Sequence, residues 1–133
     1  MSDHPCICVA VRKASRRLTA VYDEVLAPEG INLAQFSLLR NIRRSGPVSL
    51  TQLGEIVELE RSTLGRNVRV LERMGLVKLS AGADQRQAAV SLSANGLATL
   101  NRSIPLWESV QNGVYDKIGA QGAAQLEALL GAL

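Results

Sequence analysis

The chain is 133 residues long, 47% hydrophobic and 3% aromatic, with a net charge of +3 and a single histidine. That length suits one domain, 1–133, with a core of its own and excludes two, and so few aromatic rings argue against a stacking platform for single-stranded nucleic acid. No apolar run reaches the ~20 residues of a membrane span, and the opening MSDHPCICVAVRK lacks a basic region ahead of an apolar one, so a cytoplasmic protein with no membrane contact is expected.

Cys6 to Ala27 reads as a helix. Val11, Leu18, Val21, Tyr22, Val25 and Leu26 keep a spacing of three to four, and Arg12, Lys13, Arg16, Arg17, Asp23 and Glu24 mostly take the other side. Cys6 and Cys8 stand too near each other to staple a fold and are expected as reduced thiols. His4-x-Cys6-x-Cys8 offers three ligand types but no fourth, so no metal site is expected. Pro28-Glu29-Gly30 stops the first helix. Asn32 is placed to cap a second helix, Leu33 to Arg44, with Phe36, Leu39 and Ile42 inward, and Ser45-Gly46-Pro47 ends it.

A tight pair of helices follows. Ser49 or Leu50 opens about two turns through Val57, and Glu58-Leu59-Glu60 turns the chain into ERSTLGRNVRVLERMG, residues 60–75. Leu64, Val68 and Leu71 form the buried stripe of that second helix. Ser62, Thr63, Arg66, Asn67, Arg69 and Arg73 fall on its remaining surface, and Gly75 caps its end. Two short helices joined by a short turn, the second carrying hydrogen-bond donors outward, make a helix-turn-helix. Leu76–Ser80 and Ala88–Leu92 alternate apolar and polar around a polar, glycine-containing loop at 81–87, which predicts a β-hairpin used as a wing.

From Ser93, a good N-cap, a long helical pattern runs through Leu97, Leu100, Ile104, Trp107, Val110, Val114 and Ile118. Pro105 is expected to bend or break it. Gly119 to Gly122 reads as a turn, and Ala123 to Leu133 as a last apolar helix. The expected architecture is mostly α with a small β-hairpin wing: a winged helix-turn-helix lobe at about 31–96, with terminal helices at 6–27 and 97–133. Those terminal helices are too apolar for a small winged core to cover alone, so they are expected to build a two-fold homodimer.

Charge follows the same plan. Residues 61–87 hold Arg61, Arg66, Arg69, Arg73, Lys78 and Arg86 against Glu72 and Asp84, a local excess of four positive charges that leaves the remainder slightly acidic. Charge concentrated on one stretch is the footprint of a nucleic-acid binder.

Several segments together resemble the MarR family of bacterial winged helix-turn-helix regulators. They are Asp84-x-Arg86, Val90-x-Leu92-Ser93-x-x-Gly96, Leu71-Glu72-Arg73-Met74-Gly75-Leu76-Val77 and Leu33-Ala34-Gln35-Phe36-Ser37-Leu38-Leu39. The likeness runs from about Cys6 to Leu130. It implies a homodimer on pseudo-palindromic double-stranded DNA near promoters, acting by family habit as a repressor that a small ligand or thiol oxidation releases. It also implies a ligand pocket between the DNA-binding lobe and the dimer helices, near Phe36, Leu39 and Trp107. A two-fold dimer sets two reading helices into successive major grooves, roughly 34 Å apart.

The roles expected of individual side chains follow from their chemistry. Arg66 can fork onto guanine and Asn67 onto adenine. Ser62 and Thr63, at the helix start, suit phosphate binding or simple N-capping. Arg69 and Arg73 either contact phosphates or pair with Glu72. Gly65 costs roughly 1 kcal/mol of helix stability relative to alanine, which either a close approach to DNA or plain tolerance of a weak helix would explain. Arg86, at the wing tip, is expected in the minor groove, where narrow A·T-rich stretches concentrate negative potential. Asp84 is expected to shape the loop or to pair with an arginine of the reading helix.

The first helix also resembles that of the organic-hydroperoxide-sensing branch of the family, in which a cysteine at the position of Cys8 is oxidised beside tyrosines, one of them at Tyr22. Arg12 stands where that branch has a second tyrosine. Cys8 and Tyr22 lie roughly 21 Å apart along one helix at ~1.5 Å per residue, so they would meet only across an antiparallel dimer. Cys6 and Cys8 are otherwise inert core or interface thiols. A peroxide or redox sensor on the same scaffold is one alternative, and a winged-helix module for protein–protein contact is another. The latter has no need of the positive reading face. No catalytic residues and no cofactor are expected, because the sole histidine is near the chain start and no phosphate loop, nucleophile elbow or carboxylate pair is present.

Overall fold

The computed structural model describes residues 2–80 and 88–133. The elements run α1 (Ile7–Leu26), a 3-10 turn (Ala27–Glu29), α2 (Leu33–Ser45), β1 (Val48–Ser49), α3 (Leu50–Val57), α4 (Arg61–Arg73), β2 (Val77–Ser80), β3 (Ala89–Leu92) and α5 (Ala94–Gly131). The hairpin loop at 81–87, with Asp84 and Arg86, lies outside the described residues.

Local capping sets most boundaries. Asn32 Oδ1 accepts from the Gln35 amide at 2.9 Å while Gln35 Oε1 accepts from the Asn32 amide at 3.0 Å, a reciprocal box that opens α2. Ser49 and Gln52 repeat the arrangement at the start of α3. Asp23 accepts from the Leu33 amide at 2.7 Å, which ties the end of α1 to the start of α2. Glu58, in left-handed conformation at φ 54, makes the turn between α3 and α4.

The strands form one antiparallel sheet in the order β1-β3-β2, with Val77 opposite Leu92, Leu79 opposite Val90, and Val48 opposite Val90 on the other edge. No pattern in the sequence marks β1. Two residues are too few to show alternation, and their pairing with a strand some forty positions later is a tertiary event. The core gathers Leu26, Phe36, Leu39, Ile42, Leu53, Leu64, Val68, Leu71, Val90 and Leu100, from both helix pairs, the sheet and the first half of α5.

Two expectations for the long last helix are revised: a break at Pro105 and a four-residue turn at Gly119–Gly122. Pro105 sits inside α5 without interrupting it; the helical backbone is broken at Gly119 alone, with φ 76 and ψ 162. Proline removes one ladder bond and crowds the preceding turn, and the packed helix absorbs that loss. The turn expected over Gly119–Gly122 therefore shrinks to one residue.

Candidate nucleic-acid interface

Helix α4 is held from behind by its apolar stripe: Leu64, Val68 and Leu71 are at most 1% exposed. Its far end closes on a Schellman turn. The Leu76 amide donates to Leu71 O and the Gly75 amide to Glu72 O, both at 2.9 Å, and Gly75 takes φ 76, a backbone region glycine enters without steric cost. The start of α5 is bolted to that turn. Ser93 Oγ donates to Gly75 O at 2.6 Å and accepts from the Gly96 amide at 2.9 Å, while the Ser93 amide donates to Leu76 O at 3.0 Å. A Cβ on Gly96 would run into the Leu76 carbonyl. The Ser93-x-x-Gly96 pattern thus has a physical reason: only a glycine lets α5 approach closely enough to hold the reading helix.

The outward side of α4 carries Ser62, Arg66, Arg69 and Arg73, all exposed, while Thr63 and Asn67 are half-buried on one flank. Arg66 Nη2 lies 3.4 Å from Thr63 Oγ1, a weak contact that leaves the guanidinium facing outward. Among the described residues no ion pair joins Glu72 to Arg69 or Arg73. The simple N-capping role weighed for Ser62 and Thr63 is corrected. The N-cap position is Glu60, whose side chain makes no capping bond, so Ser62 and Thr63 stand in the first turn with their backbone amides pointing along the positive end of the helix.

A groove of about 700 Å³ separates α4 from the sheet. Arg61, Ser62, Arg66 and Arg69 line its helix side, and Val68, Leu79 and Ala88 give it an apolar floor. Arg61 was counted in the sequence only as charge; its place at the first helical position is what aims it here.

A second region lies between α2 and α5. Phe36 and Trp107 stack with ring centroids 5.6 Å apart and planes at 21°, and the Arg40 guanidinium sits 4.5 Å over the Trp107 ring, a cation–π contact. Clefts of about 310 and 420 Å³ open on either side of this stack, with Arg40 and Arg44 lining both. Leu39 is fully buried in the core and lines neither. Arg40 escaped the sequence reading, since one arginine on a polar helix face looks like any other until an aromatic ring is found beneath it.

At the start of α1, the N-cap residue Cys6 and Cys8 are free and exposed, whereas Tyr22 is buried at 8% exposure and its hydroxyl donates to Gln111 Oε1 on α5. Burial, and secondarily Tyr115, pushes the Tyr22 hydroxyl above the usual tyrosine value of 10.0. Within one chain the structure does not bring Tyr22 to either cysteine.

The MarR family model matches residues 29–87. The HTH-type transcriptional repressor NicR of Pseudomonas putida is 31% identical over 96 residues, or 71% of this chain, and the match spans 61% of NicR's length. The M. tuberculosis transcriptional regulator MosR, solved in complex with DNA, is 38% identical with a TM-score of 0.86, covering 96% of this chain and 95% of that one. Escherichia coli MarR C80S with operator DNA, at 23% identity, shares the fold at TM-score 0.86 over 95% of this chain and 91% of its own. With its reading helix bolted between a three-stranded sheet and a long terminal helix, this chain belongs to the MarR family of transcriptional regulators.

Proposed function

We propose that the protein is a sequence-specific double-stranded-DNA-binding regulator, a repressor that works as a two-fold dimer and is released by a small effector. The observation that carries the reading is α4 itself: one face buried to 1% or less, the other presenting Ser62, Arg66, Arg69 and Arg73 beside a groove rimmed by Arg61. In this reading Arg66 and Asn67 meet base edges, Ser62 and Thr63 meet phosphate with the helix N-terminus, and Arg69 and Arg73 bind the backbone. Asp84 and Arg86 keep the wing roles drawn from the sequence. The lobe at about 31–96 reads DNA, and 6–27 with 97–133 pair the two copies.

The pairing reading is supported by what those helices leave open. Ile7, Val11, Leu18 and Val21 on α1, Ile118, Leu126, Leu129 and Leu130 on α5, and Leu133 just beyond it remain substantially exposed in the single chain, up to 84% at Leu133. The effector reading is supported by the Phe36–Trp107 stack under Arg40, which suits a small molecule with an apolar or aromatic body and a negative charge. NicR is by name a repressor, which favours repression over activation here.

The test is titration of labelled duplex from immediately upstream of its own gene, at several salt concentrations. Affinity falls steeply with salt if Lys and Arg displace counterions; binding indifferent to salt, or absent, overturns the reading. A second signal, thiol oxidation, is favoured by the free, exposed Cys6 and Cys8 at the start of α1. Release of DNA by an organic peroxide that is identical in wild type and Cys8→Ser rules Cys8 out as the sensor.

A further inference from the structure

Gly65 is the one residue on the reading surface that the fold does not explain. It stands in the second turn of α4, inside regular helix, where glycine is about 1 kcal/mol worse than alanine. Other glycines of the fold show what a structural reason looks like: Gly96 is needed because a Cβ would strike Leu76, and a Cβ on Gly54 would stand only 3.3 Å from Leu59 O. At Gly65 neither reason holds. Its backbone is not left-handed, and among the described residues a Cβ there meets no atom within 4 Å beyond the backbone of its own helix. A side chain would instead point into the groove between α4 and the sheet, between Ser62, Arg66 and Arg69.

The groove's chemistry says what passes through it. Three arginines and a serine stand along the helix side, and Val68 and Leu79 make the floor. A rim of cations over an apolar floor matches a sugar–phosphate strand, which carries anionic oxygens outward and presents the apolar face of deoxyribose inward. With α4 in the major groove, the strand bounding that groove must run along the flank of the helix that faces the sheet. Gly65 is on that flank.

We propose that Gly65 is a clearance residue: its missing side chain lets one sugar–phosphate strand of the duplex settle into the groove between α4 and the sheet, at the expense of helix stability. The inference rests on the DNA-binding reading above and goes beyond it by assigning a role to a residue that makes no polar contact. Because the clearance is for backbone, it acts on every sequence alike.

Gly65→Ala and Gly65→Val in the full chain test it, with thermal melting and titration of two duplexes, the upstream fragment and an unrelated one of equal length. Gly65→Ala should melt ~4 °C higher yet bind both duplexes about tenfold more weakly, since overfilling a close-packed contact is costly. The salt slope should stay unchanged, because no charge is lost. Gly65→Val should bind more weakly still. If stiffening of the helix rather than bulk were responsible, alanine, the better helix former, would be the worse variant, and the proposal falls. Equal affinity of wild type and Gly65→Ala overturns it, as does a lower melting point for Gly65→Ala or a loss confined to the upstream fragment. Wild type that binds neither duplex defeats the regulator reading itself, whereas wild-type binding with an unaffected variant defeats only the role of Gly65.

Discussion

The reading lobe and the terminal helices treat their apolar side chains in opposite ways. In the lobe every large residue of the α4 stripe finds cover within the chain: Leu64 and Leu71 are at 0% exposure. Along α1 and the end of α5, residues of the same chemistry are left open, with Ile7 and Leu129 both at 68%. Buried apolar area contributes about 25 cal/mol per Å², so the α4 stripe is stabilised within the chain, and covering the open faces of the terminal helices in the proposed dimer would add to their stability. A regulator benefits from that division. In the proposed dimer, the distance between two reading helices would be set by contacts separate from the core that holds each one.

Five variants, one of them double, probe this contrast. The largest effect is expected at Leu71→Ala, which opens a cavity behind the reading helix and should lower stability by about 2–5 kcal/mol in urea unfolding. Val21→Asp combined with Leu129→Asp should leave helix content intact but halve the sedimenting mass, and make melting independent of protein concentration. A double variant that still sediments as two chains refutes the open-face interface. Arg66→Ala should leave melting unchanged and cost about 1–3 kcal/mol in operator binding, with relaxed sequence preference.

Tyr22→Phe probes the seam between the two regions. Losing the bond to Gln111 should cost about 1 kcal/mol. The Tyr22 hydroxyl is held neutral, its folded value lying above the ordinary 10.0. Its contribution is therefore complete below pH 10 and disappears as pH rises through the folded value, a loss the phenylalanine variant should not show. The smallest effect is expected at Arg102→Ala. Its 2.8 Å ion pair with Glu29 links α5 to the 3-10 turn, but the arginine is 58% exposed, so the change should stay below about 1 kcal/mol.

Much of the lobe could be read from neighbouring residues alone. Asn32 with Gln35, Ser49 and Ser93 are local capping signals whose partners sit within three positions, and Leu64, Val68 and Leu71 repeat with the helix period. Each needs nothing beyond one turn of chain. The readings that changed depend on backbone placement or on distant partners. Ser62 and Thr63 could not be told from caps until Glu60 took the boundary. Pro105 looked like a breaker because the packing around the continuous helix comes from elsewhere in the chain. Leu39 and Phe36 belong to one helix stripe, yet one is sealed in the core and the other stacks on Trp107 at the edge of a cleft.

The sequence by itself determined the helix order, the position of the reading helix and the sign of the surface it presents, because periodicity, capping and charge act over a few residues. Only the tertiary structure decided that β1 pairs with β3, that Gly96 exists to let α5 grip the end of α4, and that Arg40 lies over Trp107. Those contacts join residues tens of positions apart, and no local pattern encodes which of many possible partners a folded chain brings within reach. Gly65 shows the difference most plainly: the sequence marks it as a costly residue in a helix, and among the described residues no packing neighbour requires it.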